Sequence, residues 1–535
     1  MVKHMRWFAL LFVTISVATG PARAELRLPS VIGDHAMLQA GKPIAIWGWA
    51  TPSAEVKVAF VSGDPNHSDT FIATSDKSGK WSGLLPALKA GSVGELQIGS
   101  DKDGRTTLHD IVVGEVWLGG GQSNMVYDVA GKKGGNPNDP EEVAEVARNV
   151  VIAQKEADTA KQAIRYFAVA SSGADQPADD VKGAWVQADS TNVTNFSAVA
   201  WNFAVALQNK LHVPIGLVVS CVGGTPVESW MSKETLESTK AGAAVMDRHT
   251  QALAAVTPEA IAEHDAEQKT WRAANPTPDL QLKNAASRPK PIYTATSGQA
   301  PVRLYNGMIH GLEPYTLRGV IWFQADGNMA HPLEYSELFQ ALIKQWRADW
   351  KVPLPFFFVE MNNMREDIQT QPVQPHPLAL IREQQHGGLL LPGTGMVAAI
   401  DLGTKNAHFP NKKPVGERLA GLALRDCYGQ PGQANSPMLE SFTIESNKIR
   451  LTFTDAEGLR VRGGGDLKGF AIRGRQGDWV WATGKFDGQN IVVWSDQVPA
   501  PAAVRYAWAS NPVISVENGA GLPLYPFRTD TDSKE

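Results

Sequence analysis

Apolar and polar positions along the chain fall into three textures. From Glu25 to about Asp110, short alternating runs (Lys42–Gly48, Glu55–Val61, Glu95–Ile98) are separated by turn-formers such as Asp76-Lys77-Ser78-Gly79. Period-two alternation broken this often predicts the strands of a small β-sandwich. From Ile111 to roughly Gln430, continuous apolar runs alternate with segments whose apolar residues recur at helical spacing, the pattern of a parallel sheet with crossover helices. The runs Ile111–Leu118, Ile215–Ser220, Arg318–Phe323, Pro355–Glu360 and Gly395–Ile400 predict the strands. Pro140–Ala157, Ser197–Leu211, Tyr335–Trp350 and Val415–Cys427 predict helices. Ser232–Ala274 reads as a helical excursion, and the Pro- and Ser-bearing stretch Asn275–Pro301 as a long surface loop. Past Pro431 the alternation returns in Glu440–Thr443, Lys448–Phe453, Gly469–Ile472, Trp479–Thr483 and Ile491–Trp494, predicting a second β-sandwich.

A chain of 535 residues exceeds what one core supports. The textures divide it into residues 25–110, 111–430 and 431–535. The net charge of -5, with no basic stripe, argues against nucleic-acid or anionic-membrane partners. At the N-terminus, Lys3 and Arg6 precede the apolar run Trp7–Val17 and the small-residue signal Ala22-Arg23-Ala24. That arrangement reads as a signal peptide over residues 1–24, with an exported, periplasmic or extracellular product. No later apolar run reaches the roughly 18 residues of a membrane span. The 2 cysteines, Cys221 and Cys427, make no disulfide framework and read as buried free thiols.

Chemistry gathers where the predicted central strands end. Ile111–Leu118 runs into Gly119-Gly120-Gly121-Gln122-Ser123-Asn124-Met125, a glycine turn that presents a serine at the carboxyl end of a buried strand. The next strand leads to Val222-Gly223-Gly224-Thr225, where bare backbone can aim N–H donors at an oxyanion. The third leads to Gln324-Ala325-Asp326-Gly327-Asn328, and the last to Asp401, with His408 in the loop beyond. Serine, oxyanion donors and histidine on neighbouring strand ends are the parts of a serine esterase. Met125 stands where the G-x-S-x-G elbow of α/β-hydrolases requires its last glycine, so the fold is a different one.

These blocks carry a resemblance. GEVWLGGGQSNM, Val213–Trp230, Leu304–Asn328 and Gly395–Ala420 are similar to the nucleophile, glycine, QGESN and histidine blocks of the bacterial and animal sialate O-acetylesterases, a branch of the SGNH hydrolases. Pro29–Ala50 and Val504–Asp530 are similar to the family's flanking β regions. The resemblance implies an SGNH-type three-layer α/β/α domain with a parallel sheet, flanked by β-sandwich regions. It also implies removal of O-acetyl groups from a sugar or glycan, with neither metal nor organic cofactor. Carried over by position, Ser123 is the nucleophile and His408 the general base. The oxyanion donors are Ser123, Gly224 and Gln324, with Asn328 second to Gln324. Gln122, Asp326 and Asn306 are the substrate-contacting positions it suggests.

The chain departs from the family pattern at three points. Ala325-Asp326 replaces Gly-Glu, Val222 replaces a tryptophan, and Asn406 occupies the position of the family acid. Asn406 is expected to take the acid's place, its carbonyl oxygen accepting from the His408 ring in a slow enzyme. The alternatives are that Asp401 folds back as the carboxylate, or that a backbone carbonyl suffices and leaves a Ser–His dyad. Asn406→Asp is expected to raise the rate if the acid site is simply vacant. Two rival readings stand beside the sialate esterase. One is a plant or microbial polysaccharide (xylan-type) acetylesterase, since a sialic acid carboxylate calls for a cationic clamp such as Arg303, Lys405 or Lys412. The other is a carbohydrate-binding protein on a weakened esterase scaffold.

Overall fold

In chain order the first strands are β1 (Met37–Gln39), β2 (Ile44–Trp49), β3 (Glu55–Ser62), β4 (Ser68–Thr74), β5 (Lys80–Leu85), β6 (Val93–Ser100) and β7 (Gly104–Gly121). The computed structural model describes residues 26–530 apart from 63–67, 161–162, 278–279, 282–283, 285–286, 365–366, 375, 405 and 433–434. The expected signal peptide and Lys405 lie outside the described residues. The boundary expected at 110/111 falls inside a strand. β7 is continuous over 18 residues, pairing antiparallel with β6 along Gly104–Val112 and then parallel with its neighbours in the central sheet. Its polar, exposed first half and its buried second half, apolar but for Glu115, reflect that change of surroundings.

The central sheet continues with β8 (Ile164–Ala168), β9 (Trp185–Gln187), β10 (Ile215–Cys221), β11 (Gly319–Phe323), β12 (Phe356–Val359) and β13 (Thr394–Val397). Their order is β13-β12-β11-β7-β10-β8-β9, parallel throughout except for β9, which runs antiparallel at the edge and makes the sheet mixed. The expected strands all appear. β8 and β9 do not announce themselves in the sequence. Arg165 interrupts the apolar run of β8 and is buried only because Asp110 and its carbonyl receive the guanidinium. β9 is too short to show a period.

Helices cover the sheet. Tyr335–Asp349 buries Leu338, Phe339, Leu342, Ile343 and Trp346, the i, i+4 stripe that its sequence predicts. Ala198–Leu211 starts at Ser197, whose hydroxyl caps the Ala200 N–H, and packs against Lys413–Tyr428 through the bare Cα of Gly416. Ser232–Ala274 is helical as expected, in three segments: Lys233–Glu237, Lys240–Ala254 and Pro258–Ala274. Additional β-sheet regions flank this layer on both sides in sequence. The N-terminal one is built on β3, β4 and β6 with the paired β2 and β5. The C-terminal one holds two four-stranded antiparallel sheets, whose core of Ile449, Leu451, Phe470, Ile491 and Val504 also takes in Ile400 from beyond β13.

Candidate active site

Register puts the site together. Cys221 of β10 and Phe323 of β11 both lie abreast of Gly121, so the segments beginning at 222, 324 and 122 leave the sheet side by side. Gly121 has φ 133°, and a Cβ there would stand 2.3 Å from the Phe323 carbonyl oxygen, so only glycine fits the exit. The Gln122 N–H donates to that same carbonyl (3.0 Å) and the chain enters a single helical turn, Ser123–Val126. As first helical residue, Ser123 keeps an N–H without an intrahelical acceptor. Neither that N–H nor the Ser123 hydroxyl bonds to a described residue. Met125 is fully buried beneath the turn.

His408 arrives from the loop after β13 and is tied to the serine turn through Asn124. The Asn124 amide donates to the Ala407 carbonyl (3.3 Å) and to Asn362 Oδ1 (3.3 Å), while its oxygen accepts from Lys412 Nζ. Lys412 is buried against the faces of Phe409 (3.5 Å) and Tyr127 (5.0 Å), and burial holds its pKa well below the usual lysine value. His408 Nδ1 donates to the Gly134 carbonyl (3.2 Å), which leaves Nε2 as the basic nitrogen. The Asn406 side chain meets His408 at its backbone. Its oxygen accepts from the His408 backbone N–H (3.3 Å), and its amide donates to both oxygens of Glu142 (3.1 and 3.3 Å).

Four expectations are corrected here. Asp401 is held bidentately by Arg418 (2.7 and 2.8 Å) and again by Arg462 (2.7 Å), and makes no bond to His408. Gln324 is fully buried, and its amide is spent on Thr225 O (3.2 Å) and Asn328 Oδ1 (2.9 Å), leaving nothing for an oxyanion. Gln122 is also buried and braces the neighbouring loop, accepting from the Gly327 N–H (2.9 Å). Asn306 lies buried in a helical segment, donating to Ala174 O (3.2 Å). Of the clamp cations, Arg303 pairs with Asp175 and Lys412 is enclosed.

The structure sets Gly223 beside Ser123, and gathers Gly224, Asn328 and Asp326 along one cleft. A Cβ on Gly223 would stand 3.7 Å from that of Ser123, and Gly224 turns at φ 71° with open space around its Cα. The N–H groups of both glycines bond to no described residue. Asn328 accepts from the Val227 N–H (2.9 Å) and donates to Glu228 Oε2 (2.7 Å), which leaves its second amide hydrogen over. Burial raises the Glu228 carboxyl above the usual glutamate range. Gly224, Asp326 and Asn328 also line a cleft of about 740 Å³, walled by Tyr293, His249 and the Arg248–Glu334 pair (2.5 Å). Asn124, Glu142 and Gly134 escape sequence reasoning because each acts through partners remote in the chain. The only hint was that Asn124 directly follows the serine.

Relatives of this chain are known. A family model described as carbohydrate esterase, sialic acid-specific acetylesterase, matches residues 293–425. The sialate O-acetylesterases of Mus musculus and Homo sapiens are 26% and 25% identical to it, each over 97% of this chain and over 97% and 95% of their own. The crystal structure of a carbohydrate acetylesterase from Xanthomonas citri is 32% identical and superposes with a TM-score of 0.75, covering 95% of this chain and 100% of that one. The protein is thus a carbohydrate esterase, an enzyme of the carboxylic ester hydrolases. Within that class, the chain belongs with the carbohydrate acetylesterases and is similar along its length to the sialate O-acetylesterases.

Proposed function

We propose that the protein removes O-acetyl groups from sugars by a two-step acyl transfer. Ser123 attacks the acetyl carbonyl while His408 Nε2 takes its proton, and the backbone N–H groups of Ser123 and Gly224 receive the oxyanion with the free amide hydrogen of Asn328. The sugar hydroxyl leaves with the proton from His408, and water activated by the same nitrogen hydrolyses the acetyl-serine. The observation that carries this reading is the uncommitted serine hydroxyl at a helical N-terminus, flanked by uncommitted glycine N–H groups. The same reading takes the α/β region as SGNH-type, residues 25–110 and 431–535 as flanking β domains, and residues 1–24 as an export signal.

Charge in the cleft favours a neutral sugar over a sialic acid. Arg248 is already paired with Glu334, and Glu228 and Asp326 stand beside it. Of the lysines and arginines lining the cleft, Lys290 alone is left to meet a substrate carboxylate, without a bidentate arginine clamp. Hydrolysis of 4-nitrophenyl acetate, acetylated xylan and a 9-O-acetylated sialic acid tests both parts, each compared with Ser123→Ala. Wild-type turnover lost to background in Ser123→Ala, with unchanged circular dichroism, is the expected result. A variant that keeps more than a few per cent of the rate moves the nucleophile elsewhere. Faster release from the sialic acid than from xylan rejects the neutral-sugar assignment alone.

A further inference from the structure

We infer that Glu142 is the positioning carboxylate of this site, supplying from the neighbouring helix the negative charge that the family places at position 406. The inference rests on the Ser123–His408 reading above. Glu142 lies in the first turn of helix Pro140–Ala160, where a carboxylate is ordinarily placed by the helix dipole alone. Two observations go beyond that ordinary role. Glu142 is buried, where a carboxylate needs partners to hold its charge. Both partners belong to the surroundings of His408. One is the Asn406 amide, which reaches across 264 positions of sequence and whose own oxygen accepts from the His408 N–H. The other is the Asn136 N–H (2.8 Å), at the end of the loop that offers the Gly134 carbonyl to His408 Nδ1.

Glu142 is therefore the hub of two short paths, each ending on a different group of the same histidine. Asn406 acts as a dipolar spacer: its amide faces the carboxylate and its oxygen faces His408. The imidazolium formed when Ser123 gives up its proton is stabilised by this charge through a gap bridged by amide groups. An amide at 406 suits that geometry, because an aspartate there would face Glu142 at hydrogen-bond distance and repel it. The vacancy seen in the sequence is a relocation. Ionisable groups near the pair, among the described residues, include Tyr127, Asp128, Asp139 and Lys412, with Lys132 and Lys133 on the Asp128 turn. Asp128 and Asp139 are occupied by backbone N–H groups of their own turns, and Lys412 by Asn124.

Steady-state kinetics over pH on four proteins test the inference: wild type, Glu142→Gln, Asn406→Asp and the double exchange. Glu142→Gln is expected to lower kcat about tenfold with KM unchanged, because charge is lost only against the transition state. The acid limb of kcat/KM should move down by roughly one pH unit, since an imidazolium without its counter-charge releases its proton more easily. Asn406→Asp alone is expected to be no faster than wild type, and the double exchange should recover kcat and the limb. A purely structural glutamate would lower stability without moving the limb. Wild-type kinetics in Glu142→Gln, or a tenfold faster Asn406→Asp, overturns the inference. Activity surviving in Ser123→Ala overturns instead the reading beneath it.

Discussion

Asn328 follows Gln324 by one short turn, and that turn decides which amide can meet a substrate. Gln324 points into the sheet's end, where Thr225, Asn328 and Tyr335 use every part of it. Asn328 comes back to the surface of the cleft with one hydrogen in hand. Gln324→Ala is expected to cost about 2 kcal/mol or more in stability, because three buried partners lose a bond. The kcat of the folded enzyme should stay within a few-fold of wild type. Asn328→Ala is expected to lower kcat by roughly 10²-fold, the usual cost of one oxyanion donor. Thermal melts and initial rates on both variants separate the roles, and the reverse ranking would return the donor to Gln324.

At the scale of elements, the loop from β13 to helix Lys413–Tyr428 is a strap fastened at both ends. Its far end is Asn124 with Lys412, and its near end is Asp401. Asp401 binds Arg418 of the following helix and Arg462 of the C-terminal β region, and Gly403 donates to Asn363 Oδ1 (2.8 Å). Burial pushes the Asp401 pKa up, but Arg418 and Arg462 outweigh it and hold the group below the usual aspartate value. A carboxyl lowered on folding contributes stability that is present above its unfolded pKa near 3.8 and fades as pH falls through the folded value. Asp401→Asn should therefore cost about 3 kcal/mol at neutral pH, the cost of leaving the buried Arg418 guanidinium half-paired. That difference should shrink as pH falls below 3.8. Urea unfolding at pH 7 and at pH 3 measures it. Loss of kcat without loss of stability would restore Asp401 as the catalytic acid.

Across the whole molecule, β7 makes the N-terminal β region and the central sheet share a backbone, and Arg382 does similar work at the other side. Its buried guanidinium binds the carbonyls of Met361 and Asn362 in the α/β region, and those of Ala509 and Ser510 in the C-terminal one. The export reading belongs to this scale too, and predicts a mature protein beginning at Glu25. Intact mass of secreted protein checks it; a species retaining Met1–Ala24 would make that segment an anchor. Much of this architecture was legible in the chain. Strands β7, β10, β11, β12 and β13, the helices between them and the serine, glycine and histidine segments follow from apolar periodicity and glycine placement, which are local properties. β8, held by Arg165 on Asp110, has no local signature. Nor do the burial of Gln324, the diversion of Asp401 to two arginines, or the convergence of Glu142, Asn406 and Gly134 around His408. Each depends on which partner a polar side chain meets in the folded chain, whether Arg418 for Asp401 at 17 positions or Glu142 for Asn406 at 264. Side-chain charge and hydrogen-bonding capacity are written in the sequence, whereas the partner that consumes them is chosen only when the layers close.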